Sequence, residues 1–206
     1  MTKKRIVFDF GGVLFRWDPP SFLARVWPHR VGDAAEGAAV AREFFQQYGG
    51  DWGAFDQGLA GLDETVRRIA ARTGWPEVEV RCVANAVPDE LQLRTDTVAL
   101  IEDLKAAGHR LFYLSNMPEP YADHLERSFP LHDWFEGGVF SGRVKQSKPG
   151  RAVFDLAAAR FAARPEELVF LDDHPANIET ARGLGWGAVL FRDAAQASED
   201  LWPLLA

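Results

Sequence analysis

The sequence predicts an α/β protein in which a parallel sheet is interrupted by an all-helical insert. Short apolar runs, each bounded by turn residues, are typical of strands that are covered on both faces. Segments with apolar residues at helical spacing lie between the later runs, and this alternation favours a parallel sheet with right-handed crossovers. Between about residues 18 and 88 only helical patterns are found. The 206 residues are enough for a compact core with a smaller inserted domain.

The strands of the core are predicted at residues 6–10, 110–116, 168–173 and 187–191, with a weaker candidate at residues 137–142. The helices that alternate with them are predicted at residues 95–108, 150–163 and 176–185. Either Thr95 or Asp96 is the expected N-cap of the first helix, and Gly108 is expected to end it.

Helical patterns separated by Gly, Pro and Asp breaks fill the insert at residues 33–50, 62–75 and 76–87. We therefore expect residues 1–17 and 89–206 to form the α/β core and residues 18–88 to form a helical unit. Four tryptophans are expected to pack inside these units, with one or two at a substrate opening: Trp17, Trp27, Trp52 and Trp75.

The composition is that of a soluble globular protein, with 47% apolar and 26% charged residues. A formal net charge of −7 argues against nucleic acid and against an anionic membrane surface as partners. A single cysteine, Cys82, excludes an intrachain disulfide and is expected to be a small apolar filler of the insert. No signal-peptide or membrane-span pattern is found, so we expect a cytoplasmic monomer or weak dimer.

Polar residues of the types that catalyse reactions or bind metals follow the predicted strands. Ligands of open α/β sheets bind at the carboxyl ends of the strands. Those ends carry Asp9, the pair Ser115-Asn116 and the pair Asp172-Asp173, and Lys148 precedes a helix. Neither a Gly-x-Gly-x-x-Gly fingerprint nor a P-loop is present.

Three converging carboxylates would repel one another unless a cation lies between them. Oxygen ligands combined with a phosphate suit Mg²⁺. Lys148 and the Ser115 hydroxyl would then hold the remaining phosphate oxygens. The set therefore indicates Mg²⁺-assisted phosphoryl transfer with a carboxylate nucleophile.

Each of these residues also has a purely structural interpretation. Asp9 would cap the turn after its strand, Ser115-Asn116 would be ordinary turn residues, and Asp172-Asp173 would cap a helix. Lys145 is a rival for the role of Lys148, although the proline that follows favours Lys148.

Taken together, Asp9-x-Gly11-Gly12-Val13, Ser115-Asn116, Lys148-Pro149 and Asp172-Asp173-x-x-x-Asn177 resemble the four motifs of the haloacid dehalogenase-like (HAD) hydrolase superfamily. The resemblance runs nearly the full chain in the right order. It implies a Rossmann-like parallel sheet core with an inserted α-helical cap domain. The stretches DFGGVLFRWDP and DDHPANIETARGLG are similar to the branch that includes α-D-glucose-1-phosphate phosphatases.

The resemblance implies a role for each acid. Asp9 would be the nucleophile and a Mg²⁺ ligand, and the backbone carbonyl of Gly11 would be a second ligand. Asp173 would bind the metal directly, and Asp172 would bind it directly or through water. Asn177 would orient that pair.

The phosphoryl group would be bound by Ser115, the backbone N–H of Asn116 and Lys148. The implied function is a Mg²⁺-dependent phosphatase that acts on a small phosphorylated metabolite, a sugar phosphate in particular, through an aspartyl-phosphate. The usual phosphatase pattern has a second acid that serves as general acid/base. This chain has Gly11 in its place, as the glucose-1-phosphate branch also has glycine there.

Loss of that acid/base commonly costs roughly a hundred- to ten-thousand-fold in rate, least for acidic leaving groups. Gly11 therefore shifts the expected substrates towards sugar-1-phosphates and activated esters. Asp18 is either a hinge hydrogen-bonding residue or a substrate contact.

Two other classes remain open. A 2-haloacid dehalogenase also lacks the second acid, but it has no need of the Asp172-Asp173 pair. Retention of Asp9, Lys148 and the Asp172-Asp173 pair argues against a non-catalytic phosphometabolite-binding protein.

Overall fold

Five parallel strands form a single sheet in the computed structural model, which describes residues 3–46 and 49–205. They are β1 (Arg5–Phe8), β2 (Arg110–Ser115), β3 (Gly137–Phe140), β4 (Leu168–Asp172) and β5 (Gly187–Leu190). Their order in the sheet is β3-β2-β1-β4-β5, and every neighbouring pair is parallel. The α/β fold class predicted from the sequence is confirmed.

Both faces of the central strand are covered, as the continuous apolar pattern predicts. In β1, Ile6 and Phe8 pack into one hydrophobic cluster while Val7 packs into another on the opposite face. All three side chains are fully buried.

Seven helices among the described residues follow the five helices of the insert and belong to the α/β part of the chain. They are α6 (Thr95–Ala106), α7 (Glu119–Ser128), α8 (Leu131–Trp134), α9 (Ser141–Val144), α10 (Arg151–Arg160), α11 (Pro175–Gly183) and α12 (Ala194–Leu205). A short 3₁₀ turn spans Pro165–Glu167. None of the described helices combines the length and the apolar character that a membrane crossing requires.

The N-cap prediction for α6 is wrong. Arg94 holds the cap position, and Thr95 is the first helical residue. The Arg94 N–H donates to the Leu14 carbonyl, which holds this residue outside the helix. Gly108, with φ +80°, follows the end of the helix as expected.

The insert contains only helices: α1 (Pro19–Val26), α2 (Ala34–Phe45), α3 (Gly50–Asp56), α4 (Leu62–Thr73) and α5 (Glu77–Glu90). Helices α2, α4 and α5 correspond to the three predicted patterns, except that Gln47 and Tyr48 lie outside the described residues. Helix α5 continues two residues past the predicted boundary at residue 88, and the division into core and cap domains stays a prediction.

Two insert helices, α1 and α3, were not predicted. Helix α3 contains Gly50 and Gly53, which lower helix propensity. It forms because Trp52 and Phe55 are buried, and tertiary packing supplies most of the stability of a short helix.

Cys82 is exposed, so its predicted role as an apolar filler is wrong. Helix α5 directs Val80, Val83 and Val87 into the interior, and Cys82 lies on another face. Trp27 and Trp75 pack edge to face within the insert, with ring centroids 5.0 Å apart.

Candidate active site

Three neighbouring strands bring the predicted residues to one edge of the sheet. Asp9 directly follows β1, Ser115 ends β2 and Asp172 ends β4. Because β1 lies between β2 and β4, Asp9 lies between the other two. The Asp9 N–H donates to the Leu171 carbonyl at 2.9 Å, which extends the strand pairing up to the site.

The acids converge as predicted. One carboxylate oxygen from each of Asp9, Asp172 and Asp173 lies within 4.8 Å of the others. Asp9 and Asp172 are buried, and Asp173 is the exposed member. Such a group of oxygens is a donor set that a hard divalent cation prefers.

Lys148 is the cation that the fold brings to these acids. Its Nζ lies 2.6 Å from Asp172 Oδ2 and 2.8 Å from Asp9 Oδ1, and the residue is 1% exposed. Burial disfavours its charge, but the two carboxylates outweigh burial and raise the pKa of Lys148 above its ordinary value. The rival, Lys145, is exposed.

Asn116 fixes the backbone of Lys148. Its side-chain Nδ2 donates to the Lys148 carbonyl, and its Oδ1 accepts from the Lys148 N–H, both at 2.9 Å. The side chain of Asn116 is therefore engaged in positioning the lysine. The predicted phosphate contact of the Asn116 backbone N–H stays a prediction.

The oxygens of Asp172 are already occupied within the protein. Besides Lys148, the His174 backbone N–H donates to Oδ1 at 2.8 Å, and Asn177 Nδ2 donates to both oxygens at 2.9 Å. Asn177 thus contacts Asp172, and its role in orienting the acid pair stays a prediction. With Asp172 engaged in this way, Asp9 and Asp173 are the better placed of the three acids to bind a cation directly.

Burial, and after it the neighbouring acids, raise the proton affinity of Asp9 and Asp173. Burial raises the pKa of Asp9 well above its usual range, with Lys148 opposing and Asp172 and Asp173 adding to the rise. Burial, and next Asp172, also raise the pKa of Asp173. A bound cation would reverse this tendency, because it favours the charged form of each carboxylate.

The loop after β1 fits closely around Asp173. Gly12 has φ +77°, and a Cβ at this position would collide with the Asp173 carboxylate. This position therefore requires glycine, and the loop backbone can approach the acid closely. The three carboxylates that meet here are of the kind that fits Mg²⁺.

Gly11 differs from its neighbour. Its φ is not in the left-handed region, and a Cβ there would make only ordinary contacts with Trp17 at 3.7–3.8 Å. Of the two glycines, only Gly12 has a positive φ. Gly11 lines the site, and its predicted role as a carbonyl ligand stays a prediction.

A cavity of about 470 Å³ extends from these residues into the helical insert. Its inner end holds Asp9, Ser115, Lys148 and Asp173. Its outer wall is mostly apolar and aromatic and includes Trp17, Phe45, Trp52, Val87, Leu91 and Tyr121. Of the four tryptophans, Trp17 and Trp52 line this cavity. That they line a substrate opening stays a prediction.

Asp18 is not among the residues that line the cavity. It caps helix α1, where its carboxylate accepts from the Ser21 N–H at 3.4 Å and from the Ser21 hydroxyl at 2.5 Å. The structure thus favours the hinge interpretation of Asp18 over a substrate contact.

One acid in the cavity wall was missed from the sequence. Asp56, the last residue of α3, lines the cavity and comes from the insert. It is one of 30 acidic residues and belongs to no motif, so only its fold position distinguishes it.

Known proteins resemble the chain over most of its length. A family model described as haloacid dehalogenase-like hydrolase matches residues 3–185. The sesquiterpene phosphatase astK of Aspergillus oryzae is 22% identical over 99% of this chain and 97% of its own length. The drimenol cyclase drtB of Aspergillus calidoustus is 26% identical over 96% of this chain, which spans only 36% of that protein.

A solved structure shares the fold. It is that of the HAD family enzyme bt-2542 from Bacteroides thetaiotaomicron in complex with magnesium and inorganic phosphate. The TM-score is 0.73 at 21% identity, over 93% of this chain and 95% of that one.

Proposed function

Because the chain belongs to the haloacid dehalogenase-like hydrolases, we propose that it is a Mg²⁺-dependent phosphatase acting on a small phosphorylated metabolite. The observation that carries the proposal is the position of buried Lys148 between Asp9 and Asp172, beside Asp173. The Lys148 ammonium offsets only one of the three acidic charges that converge there. The site therefore accepts a phosphate dianion only together with a cation.

Asp9 is the nucleophile in this proposal. Its Oδ1 accepts from the Phe10 N–H at 2.7 Å and pairs with Lys148, so these contacts fix the orientation of the carboxylate. Oδ2 is then the oxygen available to attack phosphorus, giving an aspartyl-phosphate that water hydrolyses.

The cation would be held by Asp9, Asp173 and the backbone carbonyl of Gly11, with Asp172 acting directly or through water. When bound, Mg²⁺ supplies the positive charge that offsets the phosphate dianion. Ser115, the Asn116 N–H and Lys148 bind the transferring phosphoryl group. Lys148 offsets charge on that group during transfer, and Asn116 keeps its backbone in place.

The substrate expected from the sequence is a sugar phosphate, because the stretches DFGGVLFRWDP and DDHPANIETARGLG are similar to glucose-1-phosphate phosphatases. The outer cavity wall favours a second candidate, a phosphate ester with an apolar alcohol. Its aromatic residues contact one another: Phe45 packs against Trp17 and Trp52 at 5.3 and 4.9 Å. The Tyr121 hydroxyl donates to the Ala84 carbonyl, so it is already engaged. The name of the similar sesquiterpene phosphatase supports the same candidate.

The two other classes are less well supported. A 2-haloacid dehalogenase has no use for the acid pair Asp172-Asp173. In this structure both of these acids converge with Asp9. A binding protein would gain nothing from a buried nucleophile paired with a lysine. These arguments favour a phosphatase over both.

The test is phosphate release, with and without Mg²⁺, from p-nitrophenyl phosphate, glucose-1-phosphate and farnesyl phosphate. Chloride release from 2-chloropropionate is measured in parallel. The proposal expects Mg²⁺-dependent phosphate release from at least one ester and no chloride. Faster turnover of the prenyl ester than of the sugar ester would favour the apolar candidate. Chloride release without phosphate release would establish the dehalogenase instead.

A further inference from the structure

Asp56 is the acid that the insert contributes to the cavity wall. The other acids lining the cavity, Asp9 and Asp173, come from the strand ends. Asp56 is half-buried, and its wall neighbours include Trp52 and Tyr121.

The backbone of Asp56 is tied to the core near the phosphate-binding residues. The Ser141 hydroxyl donates to the Asp56 carbonyl and accepts from the Met117 N–H at 2.8 Å. Met117 follows Asn116 in the chain. Asp56 therefore lies only two hydrogen bonds from the segment that is proposed to bind phosphate.

The residues after Asp56 strengthen this attachment. Gln57 Nε2 donates to the Lys145 carbonyl at 2.9 Å. Gly58 has φ +71°, and a Cβ there would collide with the Gly142 carbonyl. Close packing of two backbones and two hydrogen bonds hold the end of α3 against α9, so the Asp56 side chain projects from a fixed position.

Asp56 lies in surroundings that favour its neutral form. Burial raises the pKa of the Asp56 carboxyl well above its usual range. The titratable or charged groups that share the cavity are Arg42 of α2, Tyr121 of α7, and Asp9, Lys148, Asp173 and His174 at the inner end.

A proton is needed at this cavity because Gly11 brings no acid. When the bond between phosphorus and an alkyl oxygen breaks, the oxygen leaves as a strongly basic alkoxide unless it is protonated. Such an acid must be held beside the leaving oxygen, on the side of the phosphoryl group that faces the rest of the substrate. The cavity wall formed by the insert is that side.

We propose that Asp56 is the acid that protonates the leaving oxygen, in place of the side chain that Gly11 lacks. This proposal rests on the phosphatase function proposed above. Asp9 Oδ2 forms a bond to phosphorus as the bond to the leaving oxygen breaks. The electron pair goes to that oxygen, which takes the proton from Asp56. The resulting Asp56 carboxylate accepts a proton from the water that then attacks the aspartyl-phosphate, and Asp9 is released.

The test compares Asp56→Asn with the wild-type protein on p-nitrophenyl phosphate and on an alkyl phosphate, with Mg²⁺. The rate to compare is kcat/KM, because it reports only the steps up to release of the alcohol and not the hydrolysis of the aspartyl-phosphate that both esters share. Because p-nitrophenolate leaves without a proton, we expect kcat/KM to fall less than about ten-fold on that ester and about a hundred-fold or more on the alkyl ester. The wild-type kcat/KM on the alkyl ester should fall as pH rises through the pKa of Asp56, and this decline should be absent for p-nitrophenyl phosphate. Asp103→Asn, at an exposed position of α6 away from the cavity, is the control and should stay within about two-fold on both.

Equal losses on the two esters, or no loss on either, would overturn the role of Asp56 while leaving the phosphatase function intact. If Asp56→Asn does not fold, the wild-type pH profiles still decide, since identical profiles for both esters exclude an acid specific to the alkyl ester. A wild-type protein that hydrolyses neither ester would overturn both proposals.

Discussion

Lys148 and Asp172 form an ion pair of 2.6 Å in which neither side chain has more than 1% of its surface exposed. The same ammonium reaches Asp9 at 2.8 Å. A buried charge that loses its partner is costly, so this ion pair links the stability of the fold to the proposed chemistry.

Replacing Lys148 tests that link. Lys148→Ala should abolish most activity and lower the free energy of unfolding by about 3–5 kcal/mol, because buried carboxylates lose their cation. Lys145→Ala is the matched control, and it should change both little because Lys145 is exposed. Denaturant unfolding and phosphate release measure the two effects. The reverse ranking would mean that Lys145 is the functional lysine.

Removal of the cation should abolish phosphatase activity. Asp9, Asp172 and Asp173 cannot surround a phosphate dianion without positive charge. EDTA is expected to stop phosphate release and added Mg²⁺ to restore it. Mg²⁺ alone should also raise the melting temperature, because it relieves repulsion among the acids. Full activity after thorough chelation would contradict the metal assignment.

Asp9→Asn should be inactive, since an amide is a poor nucleophile and adds no charge for a cation. The wild-type protein, quenched in acid during turnover, should carry one phosphoryl group that is absent from the variant. Mass spectrometry of the quenched protein measures this directly. Turnover by Asp9→Asn near the wild-type rate would mean that water attacks phosphorus without a covalent step.

The two neighbouring glycines should respond oppositely to substitution. Gly11→Asp has room beside Trp17 and should fold, and the added acid should help alkyl esters most. In that background Asp56→Asn should cost less than it does alone. Gly12→Ala should lower the free energy of unfolding by about 1–3 kcal/mol, because φ +77° suits glycine and Asp173 occupies the space. Equal unfolding curves for the two variants would show that the loop rearranges.

Asp56 should also affect stability as a function of pH. Burial raises the pKa of Asp56 in the folded state. Its contribution to the free energy of unfolding is therefore present in full below the ordinary pKa of 3.8 and is lost as pH rises through the raised pKa. Asp56→Asn removes this loss, so the variant should gain stability relative to the wild type as pH increases. A difference in unfolding free energy that does not change with pH would contradict this prediction.

Local patterns were sufficient for most of the fold. The apolar runs that became β1, β2, β4 and β5 are continuous, and a strand buried on both faces has that pattern whatever its partners. Strand β3 begins with two glycines, and its sequence was only a weaker candidate. The strand-end motifs placed Asp9, Ser115 and Asp172 at one edge, because parallel strands present their carboxyl ends together. Asn177 was predicted to orient the acid pair, and its amide does contact Asp172.

Other features depended on contacts between distant parts of the chain. Helix α3 has poor propensity and forms because Trp52 and Phe55 find a buried place. The N-cap of α6 is Arg94 because the Leu14 carbonyl, 80 residues earlier, takes its N–H. Cys82 is likewise exposed because a different side of α5, with Val80, Val83 and Val87, packs inward.

The sequence by itself determined the parallel sheet, the helical insert and the set of residues at the strand ends, because each has a local pattern or a motif. Only the tertiary structure decided which oxygens of that set are already occupied, that Gly12 and not Gly11 needs glycine, and that Asp56 faces the cavity while Asp18 does not. The physical reason is that burial and hydrogen-bond saturation are properties of the packed molecule. Asp56 has no local signal, because its surroundings are assembled from α2, α3, α7 and the strand ends.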